Sequence, residues 1–326
     1  MTPLEKIIRE IIALQGPMPF DEYMALCLYH PQHGYYMTRD PFGAKGDFIT
    51  APEISQIFGE MVALWAIEAW QKLGSPSRFT LLECGPGRGT LMHDLLRAAG
   101  VAPDFLNAAD VRLMEISPYL RGKQQETLQA HKIMWVDGVD ELPAQPTLMI
   151  GNEFFDAFPV KRFQGKKEQR VIIKDNLLAF EDGGEGTISE ASPSIEKWLH
   201  DFCPLLKANG GAALVIDYAH ANAEGADSLQ ALRGHKYVSV FEAPGEADIT
   251  AYVDFALLQK LATGHGLTCS PVASQRDFLL HYGLALRLER LLASHAAESQ
   301  TLIEGAARLT DINGMGGLFK ALAFHT

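Results

Sequence analysis

Residues 81–96, LLECGPGRGTLMHDLL, set an acid, Glu83, two positions before three glycines at alternate positions, Gly85, Gly87 and Gly89. An apolar run precedes them and a helix-like pattern follows. A bend of this kind lets a ligand lie against backbone that side chains would otherwise block, beside the unpaired N–H groups that open the next helix. The spacing is acid-x-G-x-G-x-G. A dinucleotide fingerprint is G-x-G-x-x-G, with its last glycine one residue later, so a nicotinamide-dependent oxidoreductase is the weaker ligand-binding reading. A tight strand–helix turn without a ligand is the bland alternative. Glu115 ends the next apolar run, VRLME, 26 residues beyond Gly89 (115 − 89). A carboxylate there can accept both hydroxyls of a ribose. Asp137-Gly138 follows KIMWV, although Asp-Gly is also a common turn. GNEFFDAFPV (151–160) adds Asn152, Glu153 and Asp156 among Phe154, Phe155 and Phe158. These carboxylates either face a reacting group or cap the segment that follows. Acids at the carboxyl ends of successive strands stand where open α/β sheets bind their ligands.

Such a set of acids needs a sheet to carry it. FTLLEC (79–84), DVRLME (110–115), KIMWV (132–136), TLMIGN (147–152) and AALVID (212–217) read as strands, and LTCSPV (267–272) with LFKALAF (318–324) as a final pair. Continuous apolar runs suit strands buried on both faces. The intervening helical stretches, LMHDLLRAA and YLRGKQQETLQA, predict a doubly wound, mostly parallel α/β sheet of seven strands. KRFQ, QRVIIK and NLLAF, separated by turn residues, predict a small antiparallel insertion at about 160–190. The first 75 residues read as helical. LEKIIREIIAL has helical periodicity, Pro19–Tyr29 stops before Pro31, and a third helix runs from about Pro52 to Leu73. The expected organisation is a helical cap with a long loop over 1–75 and a ligand-binding domain over 76–326.

Composition bounds the possibilities. The 326 residues carry a net charge of −12, and 47% are apolar. An acidic chain is a poor non-specific nucleic-acid binder and suits a basic protein partner or a cationic ligand. Four scattered cysteines without a C-x-x-C argue against a disulfide framework or structural zinc. No apolar run is long enough for a membrane span, and MTPLEKIIRE reads as neither a signal nor a transit peptide, so the expected location is the cytoplasm.

The glycine spacing is similar to the first motif of S-adenosylmethionine (SAM) dependent methyltransferases. That resemblance implies that Gly85, Gly87 and Gly89 face the methionine part of the cofactor and that Glu83 helps hold its α-amino end. It also implies that Glu115 meets the ribose and Asp137-Gly138 borders the adenine. The chain further resembles the MidA family, the mitochondrial complex I assembly methyltransferases and their bacterial relatives. The resemblance rests on DPFGAKGDFITAPEISQIFGE (41–60), ECGPGRGTL (83–91), EISPYLR (115–121), NEFFDAFPVKRF (152–163), IDYAH (216–220), PGEADITAYVDF (244–255) and QRDFLLHYG (275–283). It implies a class I methyltransferase sheet, SAM as cofactor, and methylation of an arginine on a protein, which in the mitochondrial members is a complex I core subunit. It adds Gly46, Asp47, Phe48, Ile49 and Thr50 as a lid over the cofactor, or alternatively as a packed linker. Asn152, Glu153 and Asp156 then project where the methyl group is transferred. A guanidinium is cationic, so carboxylates both hold its fork and accept the proton lost on methylation, with Glu153 the first choice as base and Asp156 the second. The chain departs from the family at Cys84, where an aliphatic residue is usual, and at NGMGGLFKAL. A second reading is an assembly factor that binds SAM but acts through protein–protein contact.

Other residues are less telling. His30 and His33 in YHPQHGYY have metal-like spacing but no further ligands nearby. Asp217-Tyr218 stands at the same sheet edge and either lines a substrate channel or anchors a loop. His235 and His265 lack a serine or cysteine motif, and no nucleophile elbow exists, which leaves hydrolase chemistry unsupported.

Overall fold

The computed structural model describes residues 1–39, 49–219 and 227–326. Its centre is a mixed sheet. The strands are β1 (Phe79–Cys84), β2 (Ala109–Met114), β3 (Met134–Val136), β4 (Thr147–Asn152), β5 (Gly211–Tyr218), β6 (Thr268–Cys269), β7 (Ala273–Ser274) and β8 (Phe319–His325). In space the order runs β6–β8–β5–β4–β1–β2–β3, with β7 also on β8. Neighbours from β5 to β3 are parallel. β8 is antiparallel to β5, β6 and β7.

The expected seven strands are therefore eight. LTCSPV is not one strand: Pro271 lies in the break between two-residue strands, and proline cannot donate to a ladder. The apolar runs of the central strands follow from burial on both faces. Leu81, Leu148, Ile150, Leu214 and Ile216 join a core with the helices Gln56–Lys72 and Thr90–Ala98. Leu82, Met149, Ala213 and Val215 point the other way, into a core with the helices Pro193–Asn209 and Phe255–Gly264.

The first 75 residues divide between two bodies rather than forming one cap. Ser55 is extended and its hydroxyl accepts from the Ile57 N–H at 3.3 Å, which ends a short turn and starts the helix Gln56–Lys72. That helix carries Ile57, Phe58, Met61 and Trp65 into the main core. The helices Pro3–Gln15 and Phe20–Tyr29 instead bury Ile8, Phe20, Tyr23 and Met24 with Val160, Val171 and Leu178 of the insertion. The insertion is antiparallel as expected: Lys161–Gln164, Lys167–Lys174, Leu177–Phe180 and Ile188–Ala191, with the pair Met18–Pro19 added at one edge. A three-stranded antiparallel sheet of Gln230–Arg233, Lys236–Val238 and Asp248–Thr250 was not foreseen. Among the described residues no helix is long and apolar enough to cross a membrane.

Candidate active site

The carboxyl ends of β1 to β5 open onto a cavity of about 470 Å³. At one end the bend after β1 has all three glycines at positive φ: 63° at Gly85, 54° at Gly87 and 83° at Gly89. A Cβ on Gly85 would stand 2.9 Å from the Phe154 ring. Gly85 and Gly87 line the cavity. Gly89 lines neither this cavity nor the smaller one behind the bend. It precedes the helix Thr90–Ala98, and a Cβ there would meet Leu128 Cδ1 at 3.0 Å, so its glycine serves helix packing.

The acids differ in what they face. Glu115 is buried at the cavity wall, where its carboxylate accepts from the Ser117 N–H at 2.8 Å and from Gln124 Nε2 at 3.1 Å. Burial raises its pKa and those donors oppose the rise. Gln124 Nε2 also donates to the Gly87 carbonyl at 2.8 Å, tying Glu115 to the bend. Asp137 and Gly138 line the same end, and the exposed Asp137 carboxylate pairs with Arg121. Glu83 lies elsewhere, on a pocket of about 40 Å³ behind the bend that Thr50, Glu53, Arg88, Asn152 and Glu153 also line. Its Oε2 is buried without a partner, and burial pushes its pKa up to about 8. Asn152 faces this pocket too, with an unpartnered buried Oδ1, and not the main cavity. Ile49 and Thr50 reach the main cavity, whereas Gly46, Asp47 and Phe48 lie outside the described residues.

Glu153 stands between the two spaces. It holds φ +51°, a conformation uncommon for a side-chain-bearing residue. Its Oε1 accepts from the Ala51 N–H and Asn152 Nδ2, both at 3.3 Å. Burial, then the neighbouring Asp217 charge, pushes its pKa up to about 8. Asp156 is buried on the cavity wall, and burial followed by Asp217, Asp248 and Glu153 raises it well above the carboxylate range. Asp217 resolves the two roles left open for it. It is fully buried, and its Oδ2 accepts the N–H groups of Phe154, Phe155 and Asp156 at 3.1, 2.9 and 3.3 Å while Oδ1 accepts that of Tyr218 at 2.8 Å. It anchors the loop that carries Glu153 and Asp156. In Asp217→Asn an amide donor faces backbone donors, so kcat is expected to fall about ten- to a hundredfold through misplacement of the loop. Removal of the charge also relieves Glu153 and Asp156, so the rising limb of the pH–kcat profile should move to lower pH. A profile in its wild-type position would refute the electrostatic part.

At the other end sequence reasoning named Tyr218, Phe154 and Phe158 but missed Tyr29, Tyr36, Trp198, Asp248 and Tyr252. Asp248 is buried there, accepting from the Tyr36 hydroxyl at 2.7 Å, and Tyr29 donates to the Ala157 carbonyl at 2.8 Å. Tyr218 and Tyr252 lie with ring planes 10° apart. All five line the cavity. Phe154, Phe158 and Trp198 pack edge-to-face between the two ends, with ring centroids 5.0–5.8 Å apart. Asp248 and Tyr252 stand in PGEADITAYVDF, a segment with a family match but no role attached to it; that match was the available signal. Among the described residues lining the cavity there is no lysine or arginine.

A sheet of this order, with a glycine bend after its first strand and acids at the ends of the next, defines an α/β methyltransferase fold. The residues present fit an S-adenosyl nucleoside: a side-chain-free bend, a buried carboxylate at the end of the next strand, and a buried Glu83 Oε2 with no partner of its own to receive an ammonium. A family model described as "Putative S-adenosyl-L-methionine-dependent methyltransferase" matches residues 61–179 and 168–272, and the chain belongs to that family. It is 36% identical to the mitochondrial protein arginine methyltransferase NDUFAF7 homolog of Drosophila melanogaster, across 98% of this chain and 84% of that protein. It is 33% identical to mitochondrial protein arginine methyltransferase NDUFAF7 of Homo sapiens, across 99% and 83%. A COG1565 superfamily structure from Burkholderia thailandensis bound to S-adenosylhomocysteine is similar with a TM-score of 0.86, 28% identity and coverage of 99% of this chain and 92% of that one.

Proposed function

We propose that this SAM-dependent methyltransferase modifies the guanidinium of an arginine in a protein. The observation that carries the reading is the far end of the cavity, where Glu153, Asp156 and Asp248 meet tyrosine rings and no lysine or arginine stands among the described lining residues. Carboxylates with aromatic faces are the surroundings a flat, delocalised cation needs. The naming of the Drosophila and human relatives as protein arginine methyltransferases supports it.

In this reading Gly85, Gly87 and Gly89 shape the bend against the methionine part and Glu83 takes the ammonium. Glu115 holds the ribose, Asp137 and Gly138 border the adenine, and Ile49 and Thr50 close over it, Gly46, Asp47 and Phe48 lying outside the described residues. Bound there, SAM supplies an electrophilic methyl on sulfur. Methylation replaces a guanidinium N–H with N–CH₃ and frees a proton. Glu153 accepts that proton, Asp156 orients the fork, and Asn152 holds the Glu153 carboxylate. The substrate is a core subunit of respiratory complex I, and the protein works in the cytoplasm.

The test uses labelled SAM and paired peptides that differ only in arginine or lysine. Label on arginine peptides alone is expected, as is an arginine of a complex I subunit that gains one or two methyl increments in cells only when the protein is present. Equal labelling of lysine, or of small amines, overturns the assignment.

A further inference from the structure

The three-stranded sheet has two unlike faces. Ala231 and Ile249 are buried against the N-terminal helices. On the other face Gln230, Leu232, Tyr237, Asp248 and Thr250 all line the cavity. The hairpin at Arg233–Lys236 turns through Gly234 and His235, both at positive φ (56° and 61°), a two-residue connection that sets the register of its strands. That register puts Tyr237 opposite Leu232, and Leu232 opposite Asp248. A row therefore crosses the sheet from Tyr237, 77% exposed, through Leu232 to Asp248, 5% exposed. It spans two strand spacings, roughly 10 Å.

The row is apolar at the solvent end and acidic at the buried end. An arginine side chain has the same profile, three methylenes that favour apolar cover and then a cation. Tyr237 is also a large, rigid ring exposed at the mouth of an acidic cavity, the kind of residue that anchors a bound polypeptide.

Building on the arginine reading above, we propose that this face is the docking wall for the arginine-bearing segment of the substrate. The polypeptide crosses the rim at Tyr237, the arginine stem lies along Tyr237 and Leu232, and the guanidinium reaches Asp248 and the acids beyond it.

The test is steady-state kinetics on the full-length protein with the best arginine peptide of the paired panel as probe. Tyr237→Ala alters an exposed side chain, so folding should be unaffected. KM for the peptide is expected to rise about tenfold or more, with kcat and the affinity for S-adenosylhomocysteine within about twofold of wild type. Tyr237→Phe keeps the ring and should restore the wild-type KM. Normal transfer to arginine with an unchanged KM in Tyr237→Ala would overturn the docking wall and leave the function standing. No transfer to any arginine peptide by the wild type would overturn the function itself. A change of sedimentation mass in Tyr237→Ala would show that Tyr237 covers a second copy of this chain, which also overturns the proposal.

Discussion

Glu153→Gln is expected to lower kcat by about 10²- to 10⁴-fold, the usual range for loss of a positioned general base, while the affinity for SAM stays within about twofold. The side chain stands 3.3 Å from its two donors, the Ala51 N–H and Asn152 Nδ2, and a glutamine oxygen still accepts from both. The loop should therefore keep its shape while the proton acceptor is lost. The sign of the pH dependence follows from the same burial. Glu153 has a pKa of about 8 in the folded protein, so the wild-type rate should climb as pH rises towards that value and the base becomes charged. The bound guanidinium, a cation beside the carboxylate, draws that limb downward. The glutamine variant should show no such limb. Single-turnover transfer across pH measures both effects, and a variant that keeps both the wild-type rate and the limb removes Glu153 from the chemistry.

Gly87→Val should weaken S-adenosylhomocysteine binding by at least about a hundredfold. Gly87 holds φ +54° and lines both the main cavity and the pocket behind the bend. A β-branched residue is strained in that conformation by about 1–3 kcal/mol, and it would add side-chain volume to a bend that both cavities reach. The Gly87 carbonyl also holds Gln124, which in turn holds Glu115, so a displaced bend disturbs Glu115 as well. Calorimetric titration is the measurement, with circular dichroism to show that the sheet survives. Wild-type affinity in this variant would dissociate the bend from the cofactor.

Particular elements show how far the chain could be read from its residues. The strands Phe79–Cys84 and Thr147–Asn152 fall where their apolar runs do, because each run has only strand length and is bounded by turn residues, Gly85-Pro86 after the one and Pro146 before the other. The helical reading of residues 1–75 was sound locally and failed as a domain. Whether Ile57 or Ile8 enters the main core depends on partners in other elements, the helix Thr90–Ala98 for the one and the insertion for the other, and helical periodicity marks a buried face without naming what covers it. Asn152 and Glu153 are adjacent, yet only Glu153 reaches the main cavity. That division follows from the positive φ of Glu153, which a residue type does not announce.

The glycine bend and the acids at successive strand ends were determined by sequence alone, because each depends on a few consecutive residues whose conformational limits are local. The far end of the cavity, with Tyr36, Asp156 and Asp248, was decided only by the tertiary structure. Tyr36 and Asp248 are 212 positions apart and meet at 2.7 Å, and Asp217 shapes a loop about 60 residues before it. Such meetings depend on sheet register and on which helix covers which face, so the charge and pKa of the site arise from burial that no stretch of chain contains by itself.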